Sequence, residues 1–484
     1  MKVQLLKYWD RVRSSFWFLP ALMAGGAVAL AFVTVALDGP VTDWLQRAWG
    51  WRFTGGAVGA SAVLGSIAGS MITIAGVVFS MTLVALSLAA SQLGPRMLRN
   101  FMRDTITQVV LGTFVATFLY CLLVLRTIHH AEGIVFVPHL SVSLGVVFAV
   151  VSVGVLIYFI HHVSVSLQAN EIVTRVNTEL MEGIDRLFPE PIERGATPIL
   201  AEPPDTRFLN TFEQEARPVG STGDGYLQVI DVEVLLTLAV EEDVVLRLEH
   251  RPGHFVVAEL PLVLVWPGDR LNDQLTGRIQ SAFALGNQRI PRQDIECAVN
   301  QLVEIAVRAL SPGLNDPFTA IACVDYLGSA LCRLAQREMP LPYRHDGEDR
   351  LRVISPAVTF PAIADAAFDQ IRQYGRSSAA VTIRLQETIA MIAKFAHRPE
   401  DLAALQRHAD MIARGAREAL SESEDRRAVE ERHQAFGKTE RAVPKAVGSS
   451  PQATFVDAGM ACEENLQEDL GTMTTIASEG CPNV

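Results

Sequence analysis

The chain has 484 residues, of which 49% are hydrophobic, and a formal net charge of −12. That length admits two or three domains, and the acidic total gives no reason to expect a nucleic-acid partner. Residues 1–168 hold 10 Lys+Arg against 5 Asp+Glu, so the remainder carries −17, an acidity that keeps an extramembrane region soluble or, alternatively, makes a cation-attracting vestibule.

The apolar residues are concentrated near the start. Four runs lack Asp, Glu, Lys and Arg: Ser14–Leu37, Phe53–Pro95, Thr105–Leu125 and Gly133–Asn170. Each exceeds the roughly 20 residues that cross a bilayer core. The spacing predicts membrane helices over about 14–37, 57–92, 105–128 and 140–167. The first run follows Lys2, Lys7, Arg11 and Arg13, as a signal peptide would. It is about twice the length of a signal h-region, and Trp9 and Trp17 sit where interfacial anchors belong. It therefore reads as a retained helix.

The second run is too long for one perpendicular span. At about 1.5 Å per residue its helix reaches roughly 54 Å, against a core of about 30 Å. It must tilt, project or break. Along it, positions 66, 70, 73, 77, 80, 84, 87 and 91 lie on one face at a period near 3.5. Six of those eight are hydroxylated: Ser66, Ser70, Thr73, Ser80, Ser87 and Ser91. Gly65 and Gly69 flank the stripe with close-packing spacing, and Gly55 and Gly59 repeat that spacing upstream. Two readings stand. The stripe is a helix-packing seam, inside the bundle or between subunits. Alternatively, it lines a water-filled path for small ions, which uncharged hydroxyls solvate without trapping.

The third helix carries a modest polar face of Gln108, Thr113, Thr117 and Tyr120. No ionisable residue lies mid-span, which disfavours a charge-coupled pump. His129, His130 and His139 gather beyond the third helix, and His161 and His162 close the fourth, where they complement its dipole. Basic residues cluster before the first helix and in the second connection, at Arg96, Arg99 and Arg103. This bias puts the N-terminus and the C-terminal region inside.

Residues 168–206 read as a connecting helix and a Pro-rich linker. Residues 207–270 are rich in Val and Leu, "VVLRLEH" alternates as a strand does, and the segment reads as a small β barrel or sandwich. It resembles the barrel-sandwich hybrids that carry biotin or lipoate. No lysine occurs between Lys7 and Lys394, which excludes both that carrier role and a P-loop. His250 and His254 flank a Pro-Gly turn. Residues 271–436 read as a helical domain, with a strand at "LRVISPAV" followed by helices at about 361–374, 377–396 and 399–434, and 437–484 as a disordered tail. In "ALSPGLNDPFTA", Asp316-Pro317 resembles a helix cap. The alternative is a ligand loop or hinge that uses Arg308, Ser311, Asn315 and Asp316. The six cysteines have neither metal-ligand spacing nor a disulfide pattern. No cofactor, metal or enzymatic activity is expected.

The stretches "SSFWFLPAL", "ITIAGVVFSMTLVALSLAASQLGPRML", "FVATFLYCLLVLRTI" and "RALSPGLNDPFTAI" resemble a bacterial family of predicted membrane proteins, domain of unknown function 2254. The resemblance implies a four-helix inner-membrane protein and supplies no activity. The combined expectation is a homo-oligomeric protein of the bacterial cytoplasmic membrane, in contact with the lipid bilayer. Four spans precede a cytoplasmic α+β region. Function is expected to be that of a small-ion channel whose cytoplasmic part gates it or forms its vestibule. The alternative is a non-conducting scaffold or sensor.

Overall fold

The computed structural model describes residues 17–49, 56–93, 105–131, 134–166, 168–188 and 204–441. The basic N-terminal segment, the Arg96–Arg103 connection, most of the Pro-rich linker and the expected tail beyond 441 lie outside these residues.

The four apolar runs form helices α1 (Phe18–Trp49), α2 (Ala57–Leu93), α3 (Thr105–Thr127) and α4 (His139–Ser166). α3 is central and packs on the other three. Its apolar stretch is 50% buried inside the molecule, against 22–28% for the other three helices. One core gathers Ala27, Ala31, Ala60, Leu64, Tyr120 and Val142, and a second gathers Met71, Ala75, Val78, Phe114, Phe159 and Val163. α2 is continuous over 37 residues despite its glycines, and so is about 55 Å long. It also touches a helix of the C-terminal region, α9 (Ile295–Ala309). A short antiparallel hairpin, β1 (His129–Ala131) with β2 (Ile134–Phe136), joins α3 to α4.

α5 (Ala169–Leu187) follows α4 immediately. It has a strong apolar stripe, and Val173, Val176, Leu180 and Ile184 enter a large helical core. It is therefore a member of the bundle as well as a connection. The other members are α9, α10 (Pro317–Ala335), α11 (Phe360–Gly375), α12 (Ala379–Ala393), α13 (Pro399–Ala419) and α14 (Ser423–Arg441). The expected helix over 399–434 divides at Leu420, where a residue with extended backbone closes α13. α10 is also long and apolar enough to cross a membrane. Its apolar residues Ala320, Cys323, Val324, Leu327 and Leu331 are instead buried in this bundle.

The β region differs from the barrel expectation. Among the described residues a five-stranded open sheet has the order β3 (Arg217–Gly220), β7 (Pro261–Trp266), β5 (Val245–Leu248), β10 (Leu351–Ile354), β9 (Tyr343–His345). A three-stranded sheet has the order β6 (Phe255–Val256), β4 (Gly225–Ile230), β8 (Phe283–Gly286). Neither closes. β8, β9 and β10 come from beyond residue 270, and β10 pairs parallel to β5. A core shared with two helices, α7 (Val232–Glu241) and α8 (Asp273–Ser281), explains the open edges. α6 (Thr206–Glu215) leads into β3, and α7 arises in a Val/Leu-rich run that reads as strand. Asp231 caps it by accepting from the Val234 amide at 3.2 Å, and Leu235, Leu238 and Ala239 fall on one buried face at helical spacing.

Candidate functional site

α2 divides into two faces. Ala57, Ala60, Leu64, Ala68, Met71, Ala75, Val78 and Ala85 are buried against the neighbouring helices. The hydroxyl line is turned the other way. Ser66, Ser70, Thr73, Val77, Ser80, Val84 and Ser87 are all exposed on the single subunit. The side chain of Ser91 lies outside the described residues. A packing seam inside the subunit's own bundle is therefore ruled out over 66–87.

The glycines behave the same way. A Cβ built on Gly59, Gly65, Gly69 or Gly76 meets nothing within 4 Å. Close approach within the subunit occurs elsewhere, at two glycines the sequence does not single out. A Cβ on Gly112 would sit 2.6 Å from Met23 Sδ and 3.2 Å from Pro20 Cα. One on Gly145 would sit 3.0 Å from Leu64 Cδ2.

The outward hydroxyls do not all need a partner beyond their own helix. Ser70 donates to the Ser66 carbonyl at 2.7 Å and Thr73 to the Gly69 carbonyl at 2.8 Å. Such back-bonding lets a hydroxyl sit in hydrocarbon, and its lone pairs remain available to water. The face carries no charge, because no Asp, Glu, Lys or Arg occurs from Phe53 to Pro95.

The bundle interior holds the polar contacts. Thr34 Oγ1 and Tyr120 Oη are 3.1 Å apart, and Tyr120 donates to the Ser141 carbonyl at 3.1 Å. Thr117 and Ser152 hydroxyls meet at 3.2 Å. Buried Asp38, on α1, accepts from the His139 amide at 3.1 Å and the Leu140 amide at 2.6 Å. It caps the start of α4, where the helix dipole favours a carboxylate. Sequence spacing gives no sign of this pairing, since the partners are about a hundred residues apart.

The loop between α9 and α10 is built as a corner. Asp316 accepts from the Thr319 amide at 3.1 Å and also from its hydroxyl, and the hydroxyl holds the carboxyl below its usual range. Pro317 occupies the first turn. Ser311 Oγ donates to the Arg308 carbonyl at 2.6 Å, and the Ser311 carbonyl takes the amides of Leu314 and Asn315. Asn315 has φ +46°, a left-handed conformation that Asn tolerates. So Arg308, Ser311, Asn315 and Asp316 come together, with Asp316 capping and the Ser311 hydroxyl engaged. At the β region, the Arg251 guanidinium donates to His254 Nε2 at 3.1 Å and pairs with Glu296. Burial, with Arg251 beside it, pushes the His254 imidazole down from its ordinary value.

Relatives add identity without activity. An uncharacterized protein of Mycobacterium tuberculosis, Rv1290c, is 32% identical over 427 residues, which cover 86% of this chain and 79% of the relative. An uncharacterized protein of Mycobacterium bovis, Mb1321c, matches with the same identity and coverage. No solved structure matches the chain. The family model described as "Predicted membrane protein (DUF2254)" matches residues 13–391, taking in the four apolar helices, the β region and most of the bundle, and the chain belongs to that family.

Proposed function

We propose that this is a homo-oligomeric channel for small ions in the bacterial cytoplasmic membrane. α1–α4 cross the bilayer with both chain ends inside, and the α2 hydroxyl faces of several copies enclose the path. The observation that carries the reading is the outward placement of the whole described stripe. Seven positions over about six turns present hydroxyls, valines and adjacent glycines to the outside of the subunit. A lipid-facing surface gains nothing from that composition, whereas a helix-facing or water-facing one does. The orientation follows from Lys2, Lys7, Arg11 and Arg13 before α1 and Arg96, Arg99 and Arg103 after α2. α10 stays out of the span count because its apolar residues belong to the bundle core.

One observation favours a second reading. Ser70 and Thr73 already bond their own backbone, which suits a dry seam in a non-conducting scaffold or sensor. Planar-bilayer recording separates the two. Discrete openings that Ser80→Leu abolishes, in an oligomer that stays assembled, support the channel. Silence from the wild-type oligomer, with Ser80→Leu weakening assembly, replaces it with the scaffold.

A further inference from the structure

The helical bundle has one end at which the chain leaves α4. α5 starts there, and α10 runs beside it in the same direction: Thr174 meets Tyr326 Oη at 3.0 Å, and Asp185 meets Arg333 and Arg337 at 2.7 Å. α9 runs back toward that end, since a Cβ on Gly183, late in α5, would sit 3.1 Å from Ile295 at the start of α9. α12 is parallel to α10, with Arg384 on Asp325 and Thr388 against Gly328. α13 is antiparallel to α12: Gln386 Nε2 donates to the Ala409 carbonyl at 2.8 Å, and Ala416 packs with Ala379 and Ile383. A Cβ on Gly375 would lie 3.5 Å from Leu310 Cδ1, so α11 also ends there.

At this end the last turns of α11 and α13 and the first two turns of α12 line an open cavity of about 400 Å³. Arg372, Arg376 and Arg414 line it, against a single acid, Glu418. The bundle's arginines are otherwise widely paired. Arg333, Arg337, Arg384, Arg398, Arg407 and Arg432 all hold carboxylates. Arg376 and Arg414 are exposed and have no ion pair among the described residues. Arg372 makes one long bond, 3.3 Å to Asp369, and its Nε is buried with no partner. The 15-residue α12 opens beside them, and its N-cap Ser378 makes no side-chain capping bond, which leaves the positive end of the helix dipole at the cavity rim. In a region of net negative charge, a cavity with a threefold excess of arginine over acid is built for an anion. Guanidinium forks and helix amides match phosphate oxygens.

We infer that the Arg372–Arg376–Arg414 cavity binds a phosphate group, as a lipid headgroup or as a free phosphate. The lipid source fits the surroundings. Phe318 is 81% exposed, Tyr374 58% and Leu314 44%, all at the bundle end next to the chain's exit from the apolar helices. Aromatic and aliphatic side chains beside arginines suit a membrane interface. The site stands apart from the α2 face and does not rest on the channel reading.

The test uses the full-length protein in detergent. Native mass spectrometry reads retention of dioleoyl phosphatidylglycerol against dioleoyl phosphatidylcholine, and calorimetry reads inorganic phosphate and pyrophosphate. The variants are Arg376→Gln/Arg414→Gln and, as a control on a paired surface arginine, Arg427→Gln. If the site is a lipid site, phosphatidylglycerol is retained over phosphatidylcholine and the double variant loses at least tenfold, while Arg427→Gln matches wild type. If it takes free phosphate, the same tenfold loss falls on phosphate or pyrophosphate, with no preference between the lipids. Equal retention of every probe by wild type and an assembled double variant overturns the inference.

Discussion

Asp38 illustrates how a single residue fixes the geometry of the apolar helices. Its two bonds to the α4 amides tie α1 to the start of α4. Asp38→Ala should cost about 0.5–2 kcal/mol, the usual range for a lost N-cap, read as a lowered midpoint of thermal unfolding in detergent. In the helical bundle, Arg398 and Asp401 form a pair whose side chains are almost wholly buried. Asp401→Ala leaves a buried guanidinium uncompensated and should cost about 3–5 kcal/mol, measured by denaturant unfolding. His408 is completely buried, with Nε2 at 2.8 Å from Asp365 and Nδ1 without a hydrogen-bond partner. Burial pushes its imidazole below the ordinary value of 6.5, and Asp365 offsets this only in part. The unfolded chain then takes up the proton first as pH falls. The contribution is complete above about 6.5 and is lost as pH drops toward the lowered folded value. His408→Gln should flatten that acid-side slope in a pH series of unfolding curves. The Asp38 and His408 contacts join segments separated in sequence and are not readable from local spacing; Arg398 and Asp401 stand three residues apart, a helical spacing, but their burial is created only by the tertiary fold.

At the scale of elements, what was legible followed periodicity, and what was missed followed pairing. Three of the four apolar helices lie close to their charge-free runs, since a long uncharged run has only helical ways to satisfy its backbone in a membrane, whereas α1 continues past the end of its run at Leu37 to Trp49, through Asp38, Asp43 and Arg47. The period-3.5 hydroxyl line was equally visible. Which side of α2 packs inward was not, because the opposite line, Ala57, Ala60, Leu64, Ala68, Met71, Ala75, Val78 and Ala85, has a similar helical period and is also mostly small. The 232–241 segment misled because Val and Leu serve both helix and strand; the Asp231 cap was the overlooked signal. The two kinds of glycine give a direct contrast. Gly112→Val drives a side chain into Met23 and Pro20 and should destabilise the subunit by about 1–3 kcal/mol or more. Gly69→Val meets open space within the subunit, so unfolding should change little and any effect should fall on assembly. Thermal unfolding alongside light-scattering mass separates these outcomes.

The whole molecule combines a lightly packed set of apolar helices with a densely packed helical and β region. α2 is the element whose unpacked face is most at odds with lipid. Its small residues and hydroxyls give the subunit an incomplete surface in the membrane, and copies of the chain complete it in the proposed assembly. The measurement that tests this most directly is a cysteine scan of residues 66–87 in a cysteine-free background. A membrane-impermeant thiol reagent would be applied to the reconstituted oligomer. Modification that recurs at 66, 70, 73, 77, 80, 84 and 87, and is absent at Ile72, Phe79 and Leu83, is the result a water-lined path predicts. No modification along the stripe in an assembled oligomer would contradict it and make the hydroxyl face a dry contact between helices.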